Sequence, residues 1–213
     1  MSVIAELREE KFVAILRGIP TEKIGEVAKA SVAGGIKFVE VTYNHTKEDP
    51  MAFFKEQIDA VKAAIGDTAH VGAGTVLTVE QVNWAYENGS EFIVSPNTND
   101  AVIKRTKELG LASVPGAMSP SEIVHAYDLG ADIVKLYIIE DPQYVKFLMG
   151  PLGHIAYQAT CNVSIDTIPT WLKSGAKCFG TRAFITNDLI ENSDYAEITR
   201  RAAEHVKVIK ENS

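Results

Sequence analysis

One pattern recurs through the whole chain and limits the folds open to it. An amphipathic segment stops at a glycine, and a short β-type run follows within a few residues. The glycines are Gly35, Gly66, Gly89, Gly110, Gly130, Gly153 and Gly175. Their spacing, roughly 20 to 30 residues, is the size of one βα unit in an α/β barrel. At each stop, glycine is expected to take the left-handed conformation that ends a helix and turns the chain back into a strand. The strand candidates are Val13–Arg17, Phe38–Tyr43, His70–Val76, Phe92–Pro96, Ala112–Gly116, Asp132–Tyr137, His154–Thr160 and Ala176–Arg182, eight in all. Most are near-continuous apolar runs, as parallel strands buried on both faces are.

Helix starts agree with this register. Ser119-Pro120-Ser121-Glu122 reads as a capping box with Pro at the first helical position, and Thr78-Val79-Glu80-Gln81 as a second. A last helix from about Tyr195 to Lys210 puts Ile198, Ala202, Val206 and Ile209 on one face. Eight strands alternating with helices fit an open doubly wound sheet or a closed barrel. No GxGxxG opens the first unit, which removes the main cue for a dinucleotide fold. With no linker or low-complexity stretch in 213 residues, the expected architecture is a single (β/α)₈ TIM barrel over residues 1–213.

Charge narrows the partners. With 21 Lys and Arg against 28 Asp and Glu, the net charge is −7, which argues against nucleic acid but not against a small anion met by local cations. Glu6, Arg8, Glu9, Glu10 and Lys11 interrupt any secretory signal, and no apolar run is long enough to span a bilayer. Cys161 and Cys178 are too few for a disulfide framework, so both read as reduced thiols in a cytoplasmic protein. The histidines show no metal-ligand spacing and read as ordinary surface or core residues.

In a barrel the chemistry sits at the C-terminal ends of the strands, so polar residues inside strands carry the information. In Ile133-Val134-Lys135-Leu136-Tyr137, the parity that puts Val134 and Leu136 against helices points Lys135 inward. A lysine snorkelling to the surface is the plain alternative. Burial disfavours the ammonium, and a neutral amine attacks carbonyls. In Phe38-Val39-Glu40-Val41-Thr42 the same argument turns Glu40 inward. A buried ion pair is its plain reading, but such pairs often add little stability. A general acid/base beside an amine nucleophile explains both residues better. Arg17, at the end of the first strand, suits a bidentate grip on a carboxylate or phosphate. Gly72-Ala73-Gly74-Thr75 lets backbone approach a ligand and offers a hydroxyl, and Ser95-Pro96-Asn97 ends the fourth strand in a similar place.

Six ordered segments then resemble one family. They are VAILRG (Val13–Gly18), GGIKFVEVT (Gly34–Thr42), VGAGTV (Val71–Val76), FIVSPN (Phe92–Asn97), VPGAMSPSE (Val114–Glu122) and VKL (Val134–Leu136). Together they are similar to the 2-keto-3-deoxy-6-phosphogluconate (KDPG) and 4-hydroxy-2-oxoglutarate aldolases, including the branch acting on the galactonate analogue. The resemblance implies a class I aldolase on a (β/α)₈ barrel, a homotrimer, with a small keto-acid substrate and no metal or other cofactor. It implies Lys135 as the Schiff-base lysine and Glu40 as the general acid/base. It also implies Arg17 and Thr75 as groups holding the keto-acid carboxylate, and Pro96 as a pocket wall.

The far end departs from the family pattern. Where the family has Pro-Thr-Gly-Gly, a backbone nest for a distal phosphate, this chain has Ala159-Thr160-Cys161-Asn162. A Gly-Gly-Ser type loop becomes Gly180-Thr181-Arg182, and Tyr137-Ile138 replaces an aromatic-Pro step. Thr160 and Arg182 are therefore the expected ligands at this end; either Arg182 supplies charge for lost backbone donors, or the substrate lacks a phosphate. The β-carbons of Cys161 and Asn162 are expected to restrict left-handed backbone angles. A non-catalytic or altered-specificity barrel binding a sugar-acid phosphate, or a barrel isomerase, is the alternative. A buried amine facing a carboxylate favours the aldolase, because a binder needs neither.

Overall fold

The computed structural model describes residues 2–213. Its strands are β1 (Phe12–Leu16), β2 (Phe38–Thr42), β3 (His70–Gly74), β4 (Phe92–Val94), β5 (Ala112–Val114), β6 (Gly116–Ala117), β7 (Val134–Leu136), β8 (Tyr157–Ala159) and β9 (Cys178–Thr181). The helices are α1 (Val3–Glu10), α2 (Thr21–Ala33), α3 (Pro50–Ile65), α4 (Val79–Glu87), α5 (Asp100–Glu108), α6 (Pro120–Asp128), α7 (Pro142–Leu152), α8 (Ile168–Ser174), α9 (Asn187–Glu191) and α10 (Tyr195–Glu211).

The strands form one parallel sheet in the order β5-β4-β3-β2-β1-β9-β8-β7-β6. Only Pro115 separates β5 from β6, so the two ends of this order are halves of one strand and the sheet closes on itself. Proline has no N–H to give the ladder, which splits the strand there. Its carbonyl still accepts from the Lys135 N–H at 2.8 Å. The nine segments thus make the eight barrel strands the sequence predicts. Most strands are shorter than the apolar runs: β2, β3 and β4 stop early at the barrel mouth, and β7, β8 and β9 are trimmed at both ends, while β1 keeps its length one residue earlier.

Two apolar clusters confirm the parity assignments. Val39, Val41, Val134 and Leu136 belong to the layer between barrel and helices. Phe38, Phe92, Val94, Val114, Ile133 and Cys178 fill the barrel interior. The inward parity of β2 and β7 therefore carries Glu40 and Lys135. Both capping boxes are present, Thr78 with Gln81 and Ser119 with Glu122, each cap worth about 1 kcal/mol. Six of the seven glycine stops have positive φ, although Gly66, at φ 53° and ψ −134°, lies outside the left-handed helical region. The exception, Gly153, lies at φ −67°, ψ −9°. The reversal there is an ordinary tight turn, closed by the Ile155 N–H on the Leu152 carbonyl at 3.1 Å, which needs no positive φ.

Helix α1 is not among the elements the sequence pattern marks. This helix places Leu7, wholly buried, in the barrel-interior cluster with Val3 and Ile4 beside it, closing the N-terminal end of the barrel. An imidazole ties it down. His70 Nε2 lies 3.1 Å from Glu6 of α1, and Nδ1 lies 2.8 Å from Glu91. Only an imidazolium donates from both nitrogens. Burial pulls the His70 pKa down, but the bonds and charges of Glu91 and Glu6 outweigh it and raise the pKa above its ordinary value. Lys37, Lys62 and Asp67 line the same depression.

A raised folded-state pKa gives stability that is full below the unfolded value, about 6.5, and is lost as pH rises through the higher folded value. Thermal melts should therefore show a small loss of stability above neutral pH, no more than about 4 °C for a partly exposed group in a chain of this size. His70→Gln should remove that pH dependence. An unchanged profile in the variant would assign it to another group.

Candidate active site

Lys135 is 4% exposed and Glu40 1%. In the ladder Lys135 stands level with Gly116 on β6 and Gln158 on β8, and Glu40 with Ile15 and Gly72. Both Glu40 oxygens are buried without a hydrogen-bond partner. Glycine makes the room for this carboxylate, since a β-carbon at Gly74 would overlap it. The Lys135 pKa is held below the ordinary lysine value, chiefly by burial. The Glu40 charge opposes that shift, Arg17 adds to it, and Cys161 opposes it more weakly. The Tyr137 ring lies 5.8 Å from the lysine Nζ. The arrangement supplies a shielded amine biased toward its neutral, nucleophilic form, with a free carboxylate close enough to bias it electrostatically.

The mouth is built on the ends of β1, β2 and β3. A cavity of about 690 Å³ opens there, lined among others by Arg17, Thr42, Asn44, His45, Lys47 and Thr75. Arg17 Nη2 donates to Thr75 Oγ1 at 2.9 Å. Thr75 is left-handed at φ 59°, a costly conformation for a β-branched residue that tends to persist where function requires it. His45 Nε2 meets the Thr75 carbonyl at 2.9 Å and pins that turn. The structure thus brings Arg17 and Thr75 together on one wall. Lys135, Glu40, Pro96, Thr160 and Arg182 do not line this cavity. Glu40 lies two residues deeper than Thr42 along β2, about 7 Å farther into the barrel.

Pro96 follows β4, the neighbour of β3 in the sheet, and lies against the next strand: a β-carbon at Gly116 would overlap its carbonyl. Thr160 is half-buried and donates to the Gly180 carbonyl at 2.8 Å. Asn162 takes a left-handed φ of 50°, so losing the glycine has not lost the conformation. This corrects the expectation drawn from the β-carbons, because Asn tolerates αL better than most residues. Its side chain also fastens the loop, donating to the Glu140 carbonyl at 3.1 Å. Arg182 is half-buried. It donates to the Arg17 carbonyl at 2.8 Å, to Asn187 at 2.9 Å and to the Ile185 carbonyl at 3.3 Å. Its charge therefore stands directly behind Arg17.

Three residues of this region, His45, Lys47 and Gln158, are not among the candidates the sequence marks. His45 lacks metal spacing, Lys47 follows the strand by several residues, and Gln158 is uncharged, so none stood out. For Gln158 a signal existed, a polar residue on the inward parity of an apolar strand. Among the described residues, no group of three or more His, Cys, Asp or Glu side chains is placed to hold a metal ion, and no helix is long and apolar enough to cross a membrane.

A closed parallel barrel with a buried lysine–glutamate pair below an arginine-bearing mouth has the form of a barrel lyase. The family model of the KDPG and KHG aldolases matches residues 3–201, and the chain belongs to that family. It is an aldolase, a carbon–carbon lyase. It is 34% identical over 204 residues to the 2-dehydro-3-deoxy-6-phosphogalactonate aldolase of Escherichia coli (strain K12), covering 93% of this chain and 94% of that one. It is 30% identical over 190 residues to the KHG/KDPG aldolase of the same organism, covering 86% and 85%. Among solved structures, the native KDPGal structure superposes with a TM-score of 0.83 at 29% identity, covering 94% of this chain and 95% of that one.

Proposed function

We propose that the chain is a class I aldolase that cleaves a 2-keto-4-hydroxy acid to pyruvate and an aldehyde through an imine on Lys135. One observation carries this reading: a lysine 4% exposed, its pKa lowered by burial, with an unpartnered Glu40 carboxylate inside the same barrel. The neutral amine adds to the C2 ketone, and the carbinolamine loses water to give the iminium. Glu40 first takes up a proton from solvent and gives it to the departing hydroxyl as water; the carboxylate so restored then takes the C4 hydroxyl proton. The C3–C4 bond breaks, its electrons enter the iminium as an enamine, and the aldehyde departs. Protonation at C3 and hydrolysis release pyruvate and the free amine. Arg17 and Thr75 hold the substrate carboxylate so that C2 faces Nζ. Pro96 and Thr160 border the chain beyond C4. Assembly as a homotrimer and a cytoplasmic location belong to the same reading.

Arg182 enters differently than the sequence suggested. Its guanidinium is committed to the Arg17 carbonyl and to the α9 end of its own loop. It sets the carboxylate clamp from behind and adds positive charge there. Arg182→Ala should therefore lower kcat/KM for the phosphorylated six-carbon acid and for 4-hydroxy-2-oxoglutarate alike, by about tenfold, the worth of one charge-assisted bond. A loss confined to the phosphorylated substrate would make Arg182 a phosphate ligand instead. In the wild type, the retained αL turn at Asn162 leaves room for phosphate without demanding it, so both substrates should be cleaved.

A further inference from the structure

Gln158 is 1% exposed, yet its amide is poorly satisfied. Nε2 donates to the Cys178 sulfur at 3.6 Å, and Oε1 has no partner. The residue points into the barrel on β8 and is the ladder partner of Lys135 on β7. Gly180 makes space for it, since a β-carbon there would crowd the amide at 3.1–3.2 Å. Burying an unpaired amide oxygen costs on the order of 1–3 kcal/mol, so an apolar side chain at this position would stabilise the barrel better. The donors at this level are the Cys178 thiol, which donates toward the Phe179 carbonyl, and the Lys135 amine on its flexible stem.

We propose that Gln158 is a positioning residue for Lys135: its Oε1 accepts from the lysine nitrogen during imine formation and leaves the Glu40 carboxylate free to move protons. A neutral acceptor suits the task. A second carboxylate here would stabilise the ammonium and remove the nucleophile, whereas an amide oxygen orients the N–H with a much smaller effect on charge. The proposal rests on the reading of Lys135 as the imine-forming residue, and the test separates the two.

The test is the pH dependence of pyruvate trapping by borohydride in wild type, Gln158→Met and Gln158→Glu. Losing the acceptor destabilises the ammonium, so in Gln158→Met the midpoint for trapping should fall by about one pH unit. Turnover should fall about tenfold with KM changed less than about twofold, because a mispositioned amine affects the chemistry more than binding. In Gln158→Glu the midpoint should rise, and this arm decides the matter alone if the Met variant does not fold. Midpoints equal to wild type in the folded variants would overturn the proposal. Failure of the wild type to trap on Lys135 would instead overturn the reading beneath it.

Discussion

Lys135→Ala should abolish aldol cleavage, with kcat/KM falling by at least about 10⁴-fold, well inside the 10⁶-fold or more that enzymes supply. The alanine variant keeps Glu40, Arg17 and Thr75 but has no atom to form the imine, so the electron sink for C3–C4 cleavage is gone. Lys135→Arg should not rescue the rate, because a guanidinium stays protonated and is no nucleophile. Lys135→Ala should fold, since the barrel interior around this strand is already apolar, and in Lys135→Arg the Glu40 carboxylate offsets the cost of the buried guanidinium. Steady-state cleavage coupled to pyruvate detection checks this, with circular dichroism as the control for folding. Residual activity within tenfold of wild type would remove Lys135 from the mechanism.

Glu40→Gln should lower turnover by about 10²–10⁴-fold while leaving the fold intact, the usual size of a general acid–base contribution. The amide matches the carboxylate in shape and fits the space that Gly74 leaves open. It also removes the charge that opposes the depression of the Lys135 pKa. The lysine pKa should therefore fall further, and imine formation should persist to lower pH than in wild type. The variant is then expected to form the imine more slowly, because dehydration has lost its proton donor, yet to trap at equilibrium and turn over slowly, a split that pre-steady-state trapping resolves from steady-state rates. A near-normal turnover would leave Glu40 as a structural residue.

Most of this fold was legible because buried parallel strands have a simple grammar. Val39 and Val41 on one parity force Glu40 onto the other, and Val134 and Leu136 do the same to Lys135. What escaped has physical causes. Helix α1 is polar at half of its positions, and its larger apolar residues, Val3, Ile4 and Leu7, are too few to declare a core-facing helix before the barrel bottom they close is known. Gly153 broke the glycine rule because a tight turn with right-handed angles does the same work. Asn162 keeps a left-handed angle that its β-carbon was expected to restrict. The roles of His45 and Gln158 depend on neighbours distant in sequence, the Thr75 carbonyl and the Lys135 ladder position.

Reductive trapping tests the account most directly. Incubation with pyruvate and borohydride should give a single stable adduct, and peptide mass spectrometry should place it on Lys135. Lys135→Ala should give none. An adduct on another lysine, or equal trapping in Lys135→Ala, would contradict the assignment of the buried amine as the nucleophile.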